Sequence, residues 1–205
     1  MASTRDRMVL AAAGLFRDQG YDGTGFRDVV KAAGTTQGVI YHHFPGGKSE
    51  LGVAVSLAVG EWVAAGIEAA CLAMEPREAI SGVLDIVEGN LLRGPLRPGC
   101  PIVAVALASD DGDGVLRAAS DAFFTRVRAA LTDCLVRDGV DASEAESYAA
   151  LTVSAAEGAV ILSRARRDGE PFDSTRRALL DQLDRLNRKE RHDTAARQSR
   201  AGGDP

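Results

Sequence analysis

Between Thr35 and Leu51 the chain reads TTQGVIYHHFPGGKSEL, and these residues can carry two different chemistries. Gly46-Gly47-Lys48-Ser49 ends like a phosphate-binding loop, and GVIYHHF is β-branched and aromatic enough to be the buried strand that feeds one. Such a loop needs a glycine five positions before Gly47, so that the backbone can wrap its N–H groups around phosphate, and His42 stands there instead. It also needs a parallel sheet, and no other segment of the chain reads as a strand. The other reading is a short helix, capped by Thr35 or Thr36 and stopped by Pro45-Gly46-Gly47. Ile40 and Phe44 then share one side, while Gly38, Tyr41 and His42 lie away from it. A short helix that buries one face and offers the other is a shape suited to a DNA groove.

The flanking elements must hold such a helix in place. Met8, Ala12, Leu15 and Phe16 recur at helical spacing, as do Phe26, Val29, Val30 and Ala33. Gly20 ends the first helix, and Thr24 with Gly25 offers a cap region for the second. The second helix, a turn at Gly34 and the contested segment together make a helix-turn-helix, with its recognition helix at about residues 36–43.

From Lys48 a long helix runs to about Met74, with Leu51, Val55, Ala58, Trp62, Ala65 and Ala69 as its expected buried stripe. Pro76 opens the next, with a stripe of Ile80, Val83, Leu84, Val87 and Leu91. The stretches RGPLRPGCP and DDGDG read as loops around a short apolar helix, IVAVALAS. A helix through Leu116, Phe123, Val127 and Leu131 ends near Gly139, Ser143 caps one that runs to Gly169, and a last one carries Leu179, Leu180, Leu183 and Leu186. The fold class is all-α with about nine helices: a helix-turn-helix domain over 1–47, a larger helical domain over 48–188, and a disordered polar tail over 189–205.

Composition removes several function classes. With 45% hydrophobic and 26% charged residues the chain is an ordinary globular one. Its most apolar uncharged run, PGCPIVAVALAS, falls well short of the roughly 20 residues a membrane helix needs, so no membrane partner is expected. MVLAAAGLF after Arg5 and Arg7 looks like a leader, but Asp6 interrupts the basic segment and Arg17 and Asp18 follow, so export is not expected. Cys71, Cys100 and Cys134 are dispersed and lack a CxxC, which fits a reducing cytoplasm and makes a poor zinc site. Histidine occurs only at 42, 43 and 192, and Glu157 has no motif spacing behind it, so no catalytic site, metal or cofactor is expected. The net charge of -5 argues against indiscriminate coating of nucleic acid, yet residues 1–50 hold six Lys/Arg against five Asp/Glu.

FRDVVKAAGTTQGVIYHHFPGGKSEL resembles the DNA-binding domain of the tetracycline-repressor (TetR) family of bacterial transcription regulators, matching its A-G-x-x-x-G-x-x-Y-x-H-F pattern, and the resemblance covers roughly residues 4–51. FPGGKSEL and the later GCPIVAVAL are similar to the LmrA/YxaF-like branch of that family.

On chemistry alone, Gln37 can pair bidentately with adenine or simply be solvated. Thr35 and Thr36 can contact base or phosphate or serve only as caps, Gly38 permits close approach, and His42 can add a phosphate or base contact. The resemblance implies that Tyr41 donates to phosphate, that Lys48 does so at the start of its helix, and that Thr24 does likewise at the second helix. The family's frequent basic residue is absent where Gln37 stands, which leaves more of the recognition to hydrogen bonds.

For the larger domain the resemblance implies dimerisation and a small-molecule pocket. Trp62, Phe123 and Phe124 are its aromatic candidates, Asn90 its polar one, and Cys100 beside Pro101 is either a pocket residue or an oxidation sensor. The expected dimer interface is a four-helix arrangement with Leu151, Ala155, Ala159 and Leu162 from one helix and Leu179, Leu183 and Leu186 from the next. The expected function is a ligand-responsive homodimeric repressor, released from a palindromic double-stranded operator by a small hydrophobic effector. The alternatives are a helical DNA-binding regulator without a ligand and a thiol sensor acting through Cys100.

Overall fold

The computed structural model describes residues 3–92, 99–108 and 114–201, without the side chains of 90–92 and 189–201. Among the described residues there are nine helices and no strand: α1 Thr4–Gln19, α2 Phe26–Ala32, α3 Gln37–His43, α4 Gly47–Ala73, α5 Pro76–Leu92, α6 Pro101–Ala106, α7 Val115–Arg137, α8 Ala142–Arg166 and α9 Glu170–Ala201. Much of the two expected loops, at 93–101 and 110–114, lies outside the described residues.

Helix ends follow local chemistry. A capping box fixes the start of α1, where Ser3 Oγ accepts from the Asp6 N–H and the Asp6 carboxylate accepts from the Ser3 N–H, both at 3.1 Å. Gly20, at φ 81°, closes that helix in a conformation that a side chain would strain. α2 starts from Gly25, whose N–H donates to the Asp28 carboxylate at 3.1 Å. α8 is capped by Asp141, not by Ser143: the Asp141 carboxylate accepts from the N–H groups of Ser143 and Glu144. α9 continues to Ala201, across residues whose polarity predicts a disordered tail; KERHDTAARQSRA contains no Gly or Pro and is rich in good helix formers.

The chain groups into two compact units: Met1–Gly66 with Asn90–Arg126, and Ile67–Gly89 with Val127–Pro205. The core of the first joins Met8, Ala12 and Phe16 of α1, Val29 of α2, Ile40 and Phe44 around α3, and Leu51 and Val55 of α4 to Val105 of α6 and Leu116 of α7. The helix-turn-helix is thus packed against α6 and the first part of α7.

α4 does not bury the stripe its apolar spacing predicts. Leu51 and Val55 are buried, but Ala58, Trp62, Ala65 and Ala69 are exposed, and the buried line continues instead through Ser56, Gly60, Ala64, Ile67 and Cys71. An alternating four-three pattern drifts by about 20° per heptad around a straight α-helix, so it cannot stay on one face. The side that packs includes positions with no room for bulk: a Cβ on Gly52 would stand 2.7 Å from Leu116 Cδ2, and one on Gly60 would stand 3.2 Å from Phe123 Cδ2. α4 is long and apolar enough to pass as a membrane span by composition, but Leu51 and Val55 sit in the core of the first unit.

In the second unit α8 and α9 pack against each other, with Tyr148, Ala149, Thr152, Ala156, Ala159 and Val160 of α8 and Phe172, Leu179 and Leu183 of α9 buried. Arg77 of α5 pairs with Asp184 of α9 at 2.6 Å, and Arg176 of α9 binds Asp85 and Glu88 of α5.

Candidate nucleic-acid interface

The recognition helix is held by its buried side. Ile40 and Phe44 are completely buried, while Thr36, Gln37, Gly38, Tyr41 and His42 of the opposite side face solvent. The turn that aims this helix is built by Gly34 at φ 61°, with the Thr35 N–H returning to the Val30 carbonyl at 3.1 Å and closing the end of α2. Thr36 is the N-cap of α3, with extended backbone at φ -112° and ψ 155°. Its side chain makes no capping hydrogen bond, which leaves the hydroxyl on the exposed side beside Gln37. Thr35 is half-buried.

Tyr41 is 54% exposed, and its ring stands edge-on to Phe26 of α2, with centroids 5.3 Å apart. Phe26 therefore orients the phenol that the sequence reading singles out. Its own contribution is invisible in the sequence pattern, where it counts only as a core position. His42 and His43 form an edge-to-face pair at 5.4 Å, with His42 exposed and His43 half-buried.

Lys48 is at the start of α4, half-buried over the Tyr21 ring at 4.4 Å, and donates to the Asp22 carbonyl at 3.3 Å. Desolvation lowers its pKa from the ordinary 10.5, against an opposing pull from the Asp22 carboxylate. The ammonium is thus positioned in the loop between α1 and α2 while keeping further N–H groups to donate. Thr24 does not join the exposed set. It is 2% exposed, its hydroxyl donates to the Gly20 carbonyl at 2.8 Å and accepts from the Gln19 amide at 3.3 Å, so it braces the loop.

The residues expected to line a pocket are not gathered by the structure. Trp62 is 71% exposed, on the opposite side of α4 from Gly60, while Phe123 packs against Gly60 and pairs edge-on with Phe124 at 5.0 Å. Cys100 is the half-buried N-cap residue of α6, and the Asn90 side chain lies outside the described residues. The expected interface residues split into two rows. Ala159, Leu179 and Leu183 are buried between α8 and α9 of the same chain, Ala155 and Leu186 are half-buried, and Leu151 and Leu162 are exposed together with Ile161.

Cys71 and Cys134 are buried side by side on α4 and α7, where the Cys134 thiol donates to the Cys71 carbonyl at 3.6 Å. Burial first, and then the neighbouring Cys134, push the Cys71 thiol from an ordinary 9.0 up to about 12. Both thiols are chemically quiet.

A solvent-facing helix set by a glycine turn on a helical core has the form of a helix-turn-helix DNA-binding domain, and comparison with known proteins places it. Residues 9–55 match the model of bacterial regulatory proteins of the tetR family. Residues 76–178 match the C-terminal domain of LmrA/YxaF-like transcriptional regulators. The chain belongs to the tetR family of transcriptional regulators, in its LmrA/YxaF-like branch. It is 36% identical over 190 residues to the HTH-type transcriptional regulator Rv0196 of Mycobacterium tuberculosis, covering 89% of this chain and 95% of that protein. It is 26% identical over 171 residues to the regulator LmrA of Bacillus subtilis, covering 82% and 90%. A TetR regulator from Legionella pneumophila superposes with a TM-score of 0.80 at 24% identity, covering 89% of this chain and 97% of that one. One from Chloroflexus aurantiacus superposes at 0.72 with 31% identity, covering 88% and 94%. Its relatives are regulators of transcription, and the chain is a regulator and not an enzyme.

Proposed function

We propose that the protein is a homodimeric repressor of the bacterial cytoplasm that binds a palindromic operator and is released from it by a small hydrophobic effector. The observation that carries this reading is the exposed side of α3, where Thr36, Gln37, Gly38, Tyr41 and His42 face solvent while Ile40 and Phe44 anchor the helix from behind. Gln37 offers an amide that can donate and accept at once, the pattern that adenine presents in the major groove. Gly38 adds no bulk beside it, so the backbone can approach. Tyr41, held by Phe26, and Lys48, held over Tyr21, supply donors to phosphate on either side of the base-reading residue.

Dimerisation is supported by the row of Leu151, Ile161 and Leu162, each about half exposed or more on α8. A second copy bringing the same row forms a two-fold contact, and two-fold symmetry pairs the two recognition helices with matched half-sites. The effector acts by changing the separation of those helices, through a coupling of about 1 to 3 kcal/mol typical of allosteric proteins.

The test begins with selection of duplexes by the wild-type protein from a random-sequence pool. A palindromic consensus bound by two protomers supports the reading, and hydrophobic small molecules are then screened for release of that duplex. Selection that returns no consensus sinks the operator reading, and a consensus that no compound releases leaves a regulator without a ligand. A second reading is favoured by Cys100, the one cysteine that is not buried. Release by peroxide, abolished in Cys100→Ser, would make the thiol the sensor.

A further inference from the structure

We propose that Arg5 contacts DNA phosphate and positions the protein on the duplex, held at the C-terminal end of the recognition helix by its stacking on Phe44. The guanidinium carbon lies 5.1 Å from the centroid of the Phe44 ring. Phe44 is completely buried and is the C-cap of α3, with its N–H bonded to the Ile40 carbonyl at 2.9 Å. The base of the arginine is equally fixed, because Arg5 is the second residue of α1 and the Ser3–Asp6 capping box lies around it. Both ends of the side chain are thus tied to rigid elements.

The geometry leaves this cation available. A guanidinium held over a ring through its carbon keeps N–H donors at its edge. Arg5 is exposed and makes no hydrogen bond or ion pair among the described residues. The adjacent Asp6 carboxylate attracts it electrostatically but already accepts from the Ser3 N–H. Other cations of this unit are already engaged: Arg17 with Asp18 at 3.1 Å, Arg126 with Glu61, Arg7 with the Thr4 hydroxyl at 3.4 Å, and Lys48 with the Asp22 carbonyl. Arg27 and Lys31 are exposed on α2, but among the described residues no ring pairs with either cation.

Its location matches a phosphate. The inference rests on the reading in which the start of α3 contacts base edges. With the start of this seven-residue helix at the base edges, its far end is about 10 Å further along, towards the phosphates that flank the groove. That end also presents the last carbonyls of the helix, which repel phosphate, and a cation beside it reverses the local sign. The stacked guanidinium offers a planar, bidentate match to two phosphate oxygens and gives up little side-chain freedom on binding.

The experiment measures affinity against salt for the duplex selected by the wild type and for a scrambled duplex, with Arg5→Ala, Arg5→Lys and Gln37→Ala alongside. Removing one phosphate contact lowers the slope of log affinity against log salt by about 0.9. Arg5→Ala is expected to lose that much slope on both duplexes alike. Arg5→Lys is expected to keep the slope and lose affinity, because it retains the charge without the planar stacking. Gln37→Ala is expected to keep the slope and lose the preference for the selected duplex. A wild-type slope in Arg5→Ala overturns the proposal. So does a lowered thermal midpoint with an unchanged slope, which makes Arg5 a brace for Phe44. If the wild type prefers neither duplex, the reading of α3 fails and takes the inference with it; if Gln37→Ala behaves as expected and Arg5→Ala matches the wild type, the inference fails alone.

Discussion

The phenol of Tyr148 in α8 donates to the main-chain carbonyl of Leu179 in α9 at 2.7 Å, with both residues buried. The bond ties the two helices within one chain, and the leucine one turn along α9 is buried beside it. Leu183 is completely buried there, so the stripe that reads as an interface in the sequence is part of the protomer's own core. The exposed row of Leu151, Ile161 and Leu162 is on the other side of α8.

Substitutions in the two rows therefore separate folding from assembly. Leu162→Glu, at a position 57% exposed, is expected to leave the thermal midpoint near that of the wild type and to give monomers in sedimentation, with loss of operator affinity. Leu183→Ala is expected to cost about 2 to 5 kcal/mol in denaturant titration. Dimers persisting in both Leu162→Glu and Leu151→Glu would move the interface elsewhere.

At the DNA, Gln37→Ala is expected to weaken the selected duplex by about 1 to 3 kcal/mol and to relax the preference at one position of each half-site. Tyr41→Phe is expected to weaken all duplexes evenly, since the Phe26 contact survives and only the donor is removed. Titration of single-position operator variants reads the difference, and an even loss in Gln37→Ala would refute base contact.

The seam between α4 and α7 gives two changes of opposite sign one helical turn apart. Gly52→Ala places a Cβ 2.7 Å from Leu116 Cδ2 and 2.9 Å from Tyr21 Cε2, and is expected to destabilise by about 1 to 3 kcal/mol. Ser56→Ala removes a buried hydroxyl that has no hydrogen-bond partner among the described residues, and is expected to stabilise by about 1 kcal/mol. Paired thermal melts check both signs.

Alkaline pH should unfold the protein through Cys71 and Tyr148. Burial is the main cause that lifts each to about 12, from ordinary values of 9.0 and 10.0. Between about pH 9 and 12 the unfolded chain has released protons that the native one still holds, so stability falls as pH rises through that window. Cys71→Ala and Tyr148→Phe are each expected to flatten this fall in thermal midpoints measured from pH 8 upward. In the native protein near neutral pH, Cys100 alone is expected to react with a thiol reagent, and all three cysteines after denaturation.

Much of this was legible in the sequence where letters and period agree. Ile40 and Phe44 four apart, with Gly34 before and Pro45 after, set the recognition helix to within a residue of Gln37–His43. The face of α4 was not fully legible, because beside Leu51 and Val55 its packing side runs through Gly52, Ser56 and Gly60, which carry no hydrophobic signal, while Trp62 carries a strong one and faces water. Thr24 failed as a surface residue for a related reason. A threonine before a helix reads as a cap, and only the fold shows its hydroxyl turned back to the Gly20 carbonyl. Arg5 and Phe26 act through aromatic rings distant in sequence, a relation with no period to reveal it.

The exposure of Trp62 turns the chain into its own optical probe. An indole that is 71% in solvent emits at long wavelength, and no second tryptophan dilutes its signal. Whatever comes to cover that side of α4, whether a ligand, a second copy or a neighbouring regulator on the same duplex, dries the ring and shifts the emission toward the blue. The colour of the light thus reports, without any label, when that side of the molecule is occupied.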